Sequence, residues 1–530
     1  MPRPACALLI AACASPEPRL PPRGGPGAPE PPPSPAAAPA LAPVAALARA
    51  SLDLRGVRPS RAELEAVMAD PGALDAQIEA YLDDPRLPAR MAWLWNDHLH
   101  TVAWAAGYTR LGAWTWAEAR DVAWEPLAWV ELIAAEDRPF TELVTSAGAP
   151  RTDRLAAVWG EAPAGGGEAW AWGAYEDGRP MAGVLSSRAL WLRHTADFFN
   201  FNRQRANLVA RALLCADFFD RTATFSFSVQ GDEVDVEHAV ATEPGCTGCH
   251  AALDPLGSFF AGFAERSTEL PPAQFISWSA FAAEWHALRT PPAYYGVAAT
   301  DLADLGLLLA ADPRFTRCAV RRFAEGLRGV DPGPGPEVEA LHAAWQAEGL
   351  TVRALARLIV QTPAWADPAP RPIAPELLAS SWSDLLGLPP PADGDEGLAG
   401  LAWSADLRVM GGSTDDDTVL NRVFAHGVGR QALLQWAGRQ VAAEAVAAER
   451  ARAPEARRLI GDPDEVDPAR VREHLARAAT LAFSSPVPAA DPRVDRLLAL
   501  WAAAGGPGDP GAAWEVVVQA LIRHPDAQVY

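Results

Sequence analysis

Beyond residue 45, apolar side chains recur every three to four positions along most of this chain and seldom alternate in twos, so the pattern predicts a mainly α-helical protein with few, short strands. Ser60 and Glu63 read as a capping box that opens a helix to about Met68, and Asp70-Pro71 repeats the logic of polar N-cap and N1 proline for a helix to about Leu82. The same start recurs at Asp84-Pro85, Asp312-Pro313 and Asp491-Pro492. Helical spacing at 91–98 and 124–135 makes 45–165 an N-terminal helical domain. Residues 160–183 then read as a long surface loop, Gly- and Trp-rich over 166–183. Within 184–299 the helical pattern returns at 186–196 and 203–218 and gives way to polar, turn-rich chain. Helices at 301–311, 314–327, 336–348 and 352–361 define a unit over 300–368, and a C-terminal domain over 369–530 has helices near 417–450, 468–483, 491–504 and 512–524.

A chain of 530 residues exceeds one ordinary hydrophobic core, so several packed units are expected. The 49% apolar and 21% charged content is that of a globular protein. A net charge of -21 excludes nucleic acid as a natural partner, because phosphate binding needs a basic face. A basic redox partner protein suits this surface better.

The first residues add a membrane question. Arg3 precedes a short apolar run ending in Ile10, Ala11, Ala12 and Cys13, which resembles a bacterial lipoprotein signal over 1–13, with Cys13 as the lipid anchor; an ordinary secretory signal competes. Residues 14–44, rich in Pro and Ala, suit an extended tether. No later segment reaches the ~20 apolar residues of a spanning helix. Contact with a membrane is therefore expected through the N-terminal lipid only, on the periplasmic or cell-surface side, as an outer-membrane lipoprotein.

Chemistry concentrates at Cys246-Thr247-Gly248-Cys249-His250. C-x-x-C-H is the spacing for covalent haem attachment: two thiols on one turn reach the two vinyl groups of one porphyrin, and the adjacent imidazole then stands over the iron. Cys246 and Cys249 would form thioethers to one haem c, and His250 would be the proximal iron ligand. Its second ring nitrogen calls for an acceptor, expected as a carbonyl between Asp254 and Leu256. A zinc knuckle would need further ligands at short spacing, and a thioredoxin-type dithiol would follow a strand. Cys215 and Cys318 remain once the other cysteines are assigned, and an oxidising compartment favours a disulfide between them, with two buried free thiols as the competing reading.

The distal side is less determined. Met410, in an irregular segment, and His194 are the candidate distal iron ligands, with His238 a further imidazole. Arg203 and Arg205 read as haem-propionate partners or as a solvated helix face. The 20 tryptophans, including the pairs Trp114/Trp116 and Trp170/Trp172, raise a glycan-binding reading against ordinary core packing. Asp415-Asp416-Asp417 reads as a helix N-cap in preference to a calcium loop. No nucleophile elbow, phosphate loop, dinucleotide fingerprint or H-E-x-x-H motif is present, so the common hydrolase and nucleotide-enzyme classes have no support.

Several stretches resemble the planctomycete-type cytochrome-c-domain proteins, large exported bacterial proteins of unknown function also common in myxobacteria. They are Ser51 to Leu64, Arg138 to Val144, Ala182 to Ser187, Arg203 to Cys215, Cys246 to Gly257, Phe315 to Cys318 and Gln519 to Pro525. The resemblance implies a cytochrome-like role and carries over only the haem positions as functional residues. Three functions follow as expectations: electron transfer through a six-coordinate haem, a peroxidase-like haem oxidoreductase with an open distal site, and a tethered binding or scaffold protein whose haem is structural.

Overall fold

Prolines and short polar side chains start most helices of this protein, as its computed structural model shows. Described are residues 41–102, 105, 114–195, 202–218, 220, 242, 244–263, 276–388, 398, 403 and 427–530. Proline opens α1 (Pro43–Arg55), and the Ser60 capping box opens α2 (Arg61–Ala69): Glu63 N donates to Ser60 Oγ at 3.3 Å, and Ser60 N to Glu63 Oε2 at 2.6 Å. Asp70-Pro71 makes a short 3-10 turn before α3 (Leu74–Leu82), and Asp84 caps the turn that leads into α4 (Leu87–Leu99). A second capping box, Thr115 with Glu118, opens α5 (Trp116–Ala135) well ahead of the start expected at 124.

Short elements follow: α6 (Glu142–Thr145), β1 (Ala149–Arg151), α7 (Asp153–Trp159), β2 (Ala171–Gly173) and α8 (Arg188–Arg193). Then come α9 (Arg203–Leu214), α10 (Pro244–Ser258), α11 (Ala280–Ala287) and the hairpin β3 (Ala293–Tyr294) with β4 (Val297–Ala298). The remaining helices are α12 (Leu302–Ala311), α13 (Pro313–Arg328), α14 (Pro336–Ala347), α15 (Val352–Val360) and α16 (Pro375–Leu386). They continue with α17 (Val428–Ala451), α18 (Pro468–Phe483), α19 (Pro492–Ala503) and α20 (Pro510–Arg523). With twenty helices and four short strands among the described residues, the protein is mainly α.

The largest helix pairings are α4 on α5 and α17 on α20. An aromatic group joins distant parts of the chain: Trp95 of α4 lies 5.2 Å from Phe140 and 5.8 Å from Phe323 of α13, and Phe140 lies 6.0 Å from Trp345 of α14. Such edge and tilted ring contacts add to the area each ring buries. Asp53 of α1, fully buried, ties the end of the chain down. It accepts from Tyr530 Oη and Trp365 Nε1, both at 2.8 Å, and pairs with Arg371 at 3.4 Å. Residues 40–530 accordingly form one compact unit with a continuous apolar core. No helix among the described residues is long and apolar enough to cross a membrane.

Two expectations are corrected. The stretch 160–183 is a surface loop only in its first half: 161–169 is irregular and mostly exposed, but β2 pairs antiparallel with β1, and Tyr175, Arg179 and Ala182 are buried. Buried charges hold it. Glu125 of α5 accepts from Tyr175 Oη, from Ser187 Oγ at 2.9 Å and from Ala189 N at 2.8 Å, while Glu161 pairs with Arg151 at 2.9 Å and Arg188 at 3.0 Å. The segment around Cys246 is not turn-rich chain but helix.

Candidate haem site

Helix α10 carries the C-x-x-C-H residues in its first turns, although Gly245, Gly248 and Pro255 are all poor helix formers. Packing outweighs propensity here. Leu253 and Leu256 are buried where α10 lies against α9, and Phe260, just beyond the helix, packs at a tilt with its ring 4.6 Å from that of Trp191 of α8. On a helix, positions i, i+3 and i+4 share a face, so Cys246, Cys249 and His250 project from one side. Both cysteines carry free thiols and are half-buried.

His250 is held by a carboxylate one turn on. Its Nδ1 lies 2.9 Å from Asp254 Oδ1, so the ring donates there and Nε2 keeps its lone pair for another partner. The acceptor is therefore the Asp254 side chain and not the backbone carbonyl expected between 254 and 256. Asp254 is itself clamped by Arg203, the first residue of α9: Arg203 Nε donates to Oδ1 at 2.7 Å and Nη2 to Oδ2 at 3.0 Å. Burial pushes the Asp254 pKa up, but the Arg203 and His250 hydrogen bonds outweigh it and hold the carboxyl below the usual range. His286 of α11 also feels this charge. Burial and Arg289 lower its pKa, and Asp254 opposes them.

These contacts correct the reading of the two arginines as a solvated face. Arg203 orients Asp254. Arg205 is fully buried, donating to the His194 carbonyl at 3.0 Å, to Asn202 Oδ1 at 2.9 Å and to the Phe263 carbonyl at 3.2 Å. The chain from Arg203 through Asp254 to His250 is what reasoning from sequence missed. Its signal was an aspartate four residues after the histidine on one helix, with a partner 51 positions upstream that no local pattern reveals.

The other named residues fall as follows. His194 is fully buried at the end of α8, its Nε2 donating to the Leu99 carbonyl at 2.8 Å, and burial drives its pKa well down. Cys215 at the end of α9 and Cys318 in α13 are joined by a disulfide, their Cα atoms 5.4 Å apart. Met410, His238, Cys13, the expected signal 1–13 and Asp415 to Asp417 lie outside the described residues. Of the tryptophan pairs, Trp114 packs 5.8 Å from Trp159, and Trp172 lies under Arg138 with its indole donating to Glu136 at 2.9 Å.

The donor set fits a covalently attached haem. It offers two free thiols on one face, an imidazole with one nitrogen occupied by a carboxylate, and the other nitrogen left to bind. Among the described residues no group of three or more His, Cys, Asp or Glu side chains converges as a metal cage. A porphyrin supplies four ligands itself and asks the protein for only one or two.

Comparison with known proteins touches a different part of the chain. No curated protein and no solved structure matches it. The family model PSCyt2, described as a protein of unknown function (DUF1549), matches residues 34–161, a stretch that includes α1 to α7 and stops short of the C-x-x-C-H helix. Residues 34–161 are thus similar to a domain of unknown function.

Proposed function

We propose that this is an exported c-type cytochrome-like protein that binds one haem c through Cys246, Cys249 and His250 and transfers electrons at the periplasmic or cell-surface side, anchored by lipid on Cys13. One observation carries the reading: two free thiols and an imidazole share one face of α10, and Asp254 occupies Nδ1 of that imidazole so that Nε2 remains to bind. The disulfide between Cys215 and Cys318 agrees with an oxidising compartment, and the stretches similar to planctomycete-type cytochrome-c-domain proteins agree with haem. A basic protein partner suits the net charge of -21.

When bound, the haem supplies reversible one-electron chemistry at iron. On attachment, Cys246 and Cys249 would each add S–H across a vinyl double bond, the sulfur to one carbon and the proton to the other. His250 places the Nε2 lone pair, and Asp254 keeps the Nδ1 proton on the far side of the ring. Arg203 orients the Asp254 carboxylate with two hydrogen bonds, and that carboxylate on Nδ1 would make the imidazole a stronger donor to a haem iron and favour its oxidised state.

That carboxylate also favours a second reading, a peroxidase-like oxidoreductase, because an imidazole made electron-rich by Asp254 would help a bound haem to cleave an oxidant. Spectra separate the two. Expression with the haem-attachment machinery, a denaturing-gel haem stain and whole-protein mass come first; a polypeptide without covalent haem ends the proposal. Low-spin spectra indicate electron transfer, and high-spin spectra that change on adding cyanide indicate the oxidoreductase. Asp254→Asn is expected to raise the reduction potential while the haem stays attached, and an unchanged potential would show that the carboxylate has no influence on iron.

A further inference from the structure

Four tryptophans far apart in sequence meet at a cavity of about 450 Å³. Trp93 of α4 lies 5.0 Å from Trp124 of α5, and Trp403 lies 5.5 Å from Trp93 and 5.8 Å from Trp124. Trp170 lines the same space. The fold assembles this wall from four separate places in the chain. Its volume is within the range of small-molecule sites, roughly 300–1,000 Å³.

The polar groups of the cavity are open to a ligand. Trp124 Nε1 donates to Glu131 Oε2 at 2.6 Å, while the indole N–H groups of the half-buried Trp93, Trp170 and Trp403 have no protein acceptor among the described residues. Glu131 Oε1 likewise has no donor among them. Arg120 lies 5.0 Å over the Trp403 ring, and its Nε is buried with no hydrogen-bond partner among the described residues.

Charge narrows the occupant. Asp121 at the rim is taken by Arg154 at 2.8 Å and Thr152 at 2.6 Å, and Glu376 faces Arg90 at 3.8 Å. One guanidinium and one carboxylate are left, which balance each other and favour a ligand without net charge. Indoles inclined at 44–69° to one another, with a forked donor and a free acceptor eleven residues apart on α5 and so about 16 Å apart along its axis, match one ligand chemistry: an oligosaccharide whose CH faces lie on indole while hydroxyls of separate sugar units accept from Arg120 and donate to Glu131.

We infer that the cavity walled by Trp93, Trp124, Trp170 and Trp403 is a binding site for a neutral glycan, engaged through Arg120 and Glu131. The site is independent of the haem and stands or falls without it.

Calorimetric titration of the purified full chain with cellohexaose, xylohexaose, maltohexaose and laminarihexaose tests this. At least one is expected to bind in the low millimolar range or tighter, and Trp403→Ala and the near-isosteric Glu131→Gln are each expected to weaken that binding about tenfold, or about 1.4 kcal/mol. Trp285→Ala, at a half-exposed tryptophan on α11, should leave it unchanged. Thermal melting checks that the variants fold, and Glu131→Gln alone decides if Trp403→Ala does not. The inference is overturned if none of the four sugars binds below about 10 mM, if Glu131→Gln binds as the unaltered chain does, or if tetramethylammonium binds more tightly than every sugar.

Discussion

Asp177 receives hydrogen bonds from Arg179 Nε at 2.8 Å and from Arg188 Nη2 and Trp278 N, both at 3.2 Å, and it anchors the second half of the 160–183 segment inside the protein. Burial pushes its pKa up, but the arginines and the backbone N–H prevail and hold it far below the usual carboxylate range. A carboxylate whose folded pKa is depressed contributes stability that is complete above its unfolded pKa of about 3.9 and disappears as pH falls through the folded value. The melting temperature should therefore decline steadily below about pH 4. Asp177→Asn should cost about 1.5–3 kcal/mol at neutral pH and should flatten that decline. Equal acid slopes in variant and parent would exclude Asp177 as a source of the acid sensitivity. Of the donors only Arg179, two positions on, was in reach of a local pattern; Arg188 and Trp278 come from separate stretches, and no pattern among 45 basic residues tells which are buried.

Elements were more legible, because caps and apolar period are local. The Asp-Pro starts of α13 and α19 and the 468–483 helix are found where their side chains predict. The exceptions have physical reasons. Pro126 interrupts the pattern of α5 and draws attention to the half after Trp124, whereas the Thr115 capping box sets the true start. The haem-motif helix was hidden by its glycines and proline and is sustained by Leu253 and Leu256 against α9. Cys246, Cys249 and His250 were legible by spacing alone; the Arg203 clamp was not. Close packing of elements also rests on residues whose role no pattern signals. Gly306, inside α12, faces the backbone of α6: a Cβ there would sit 2.1 Å from the Val144 carbonyl oxygen. Backbone cannot turn aside as a side chain can, so Gly306→Ala should push α12 off α6. The expected cost is about 1–3 kcal/mol, despite the higher helix propensity of alanine. Urea denaturation measures it, and a stabilised variant would show that α12 shifts freely.

At the scale of the molecule, the covalent link and the buried contacts bear on the same region. The disulfide from Cys215 to Cys318 closes a loop of 103 residues that contains α10, α11, the β3–β4 hairpin and α12. Its entropic effect grows only slowly with loop length and reaches about 4.7 kcal/mol for a loop of about 100 residues. Within that loop α10 is held to α9 by Leu253, Leu256 and the Arg203 to Asp254 pair, and α9 is held to α13 beside the bridge. Opening the bridge frees the far end of the loop without touching the contacts of 43–159. The double variant Cys215→Ser, Cys318→Ser should therefore melt at a lower temperature, by about 2–5 kcal/mol of stability. It should also be cut first between 215 and 318 under limited proteolysis, while the N-terminal helices stay protected. Reductant should bring the parent protein to the same midpoint and leave the variant unmoved. If parent and variant melt together, or if cleavage begins in the N-terminal helices, the bridge adds nothing to the hold on the candidate haem helix and the noncovalent contacts of α9 with α10 bear it alone.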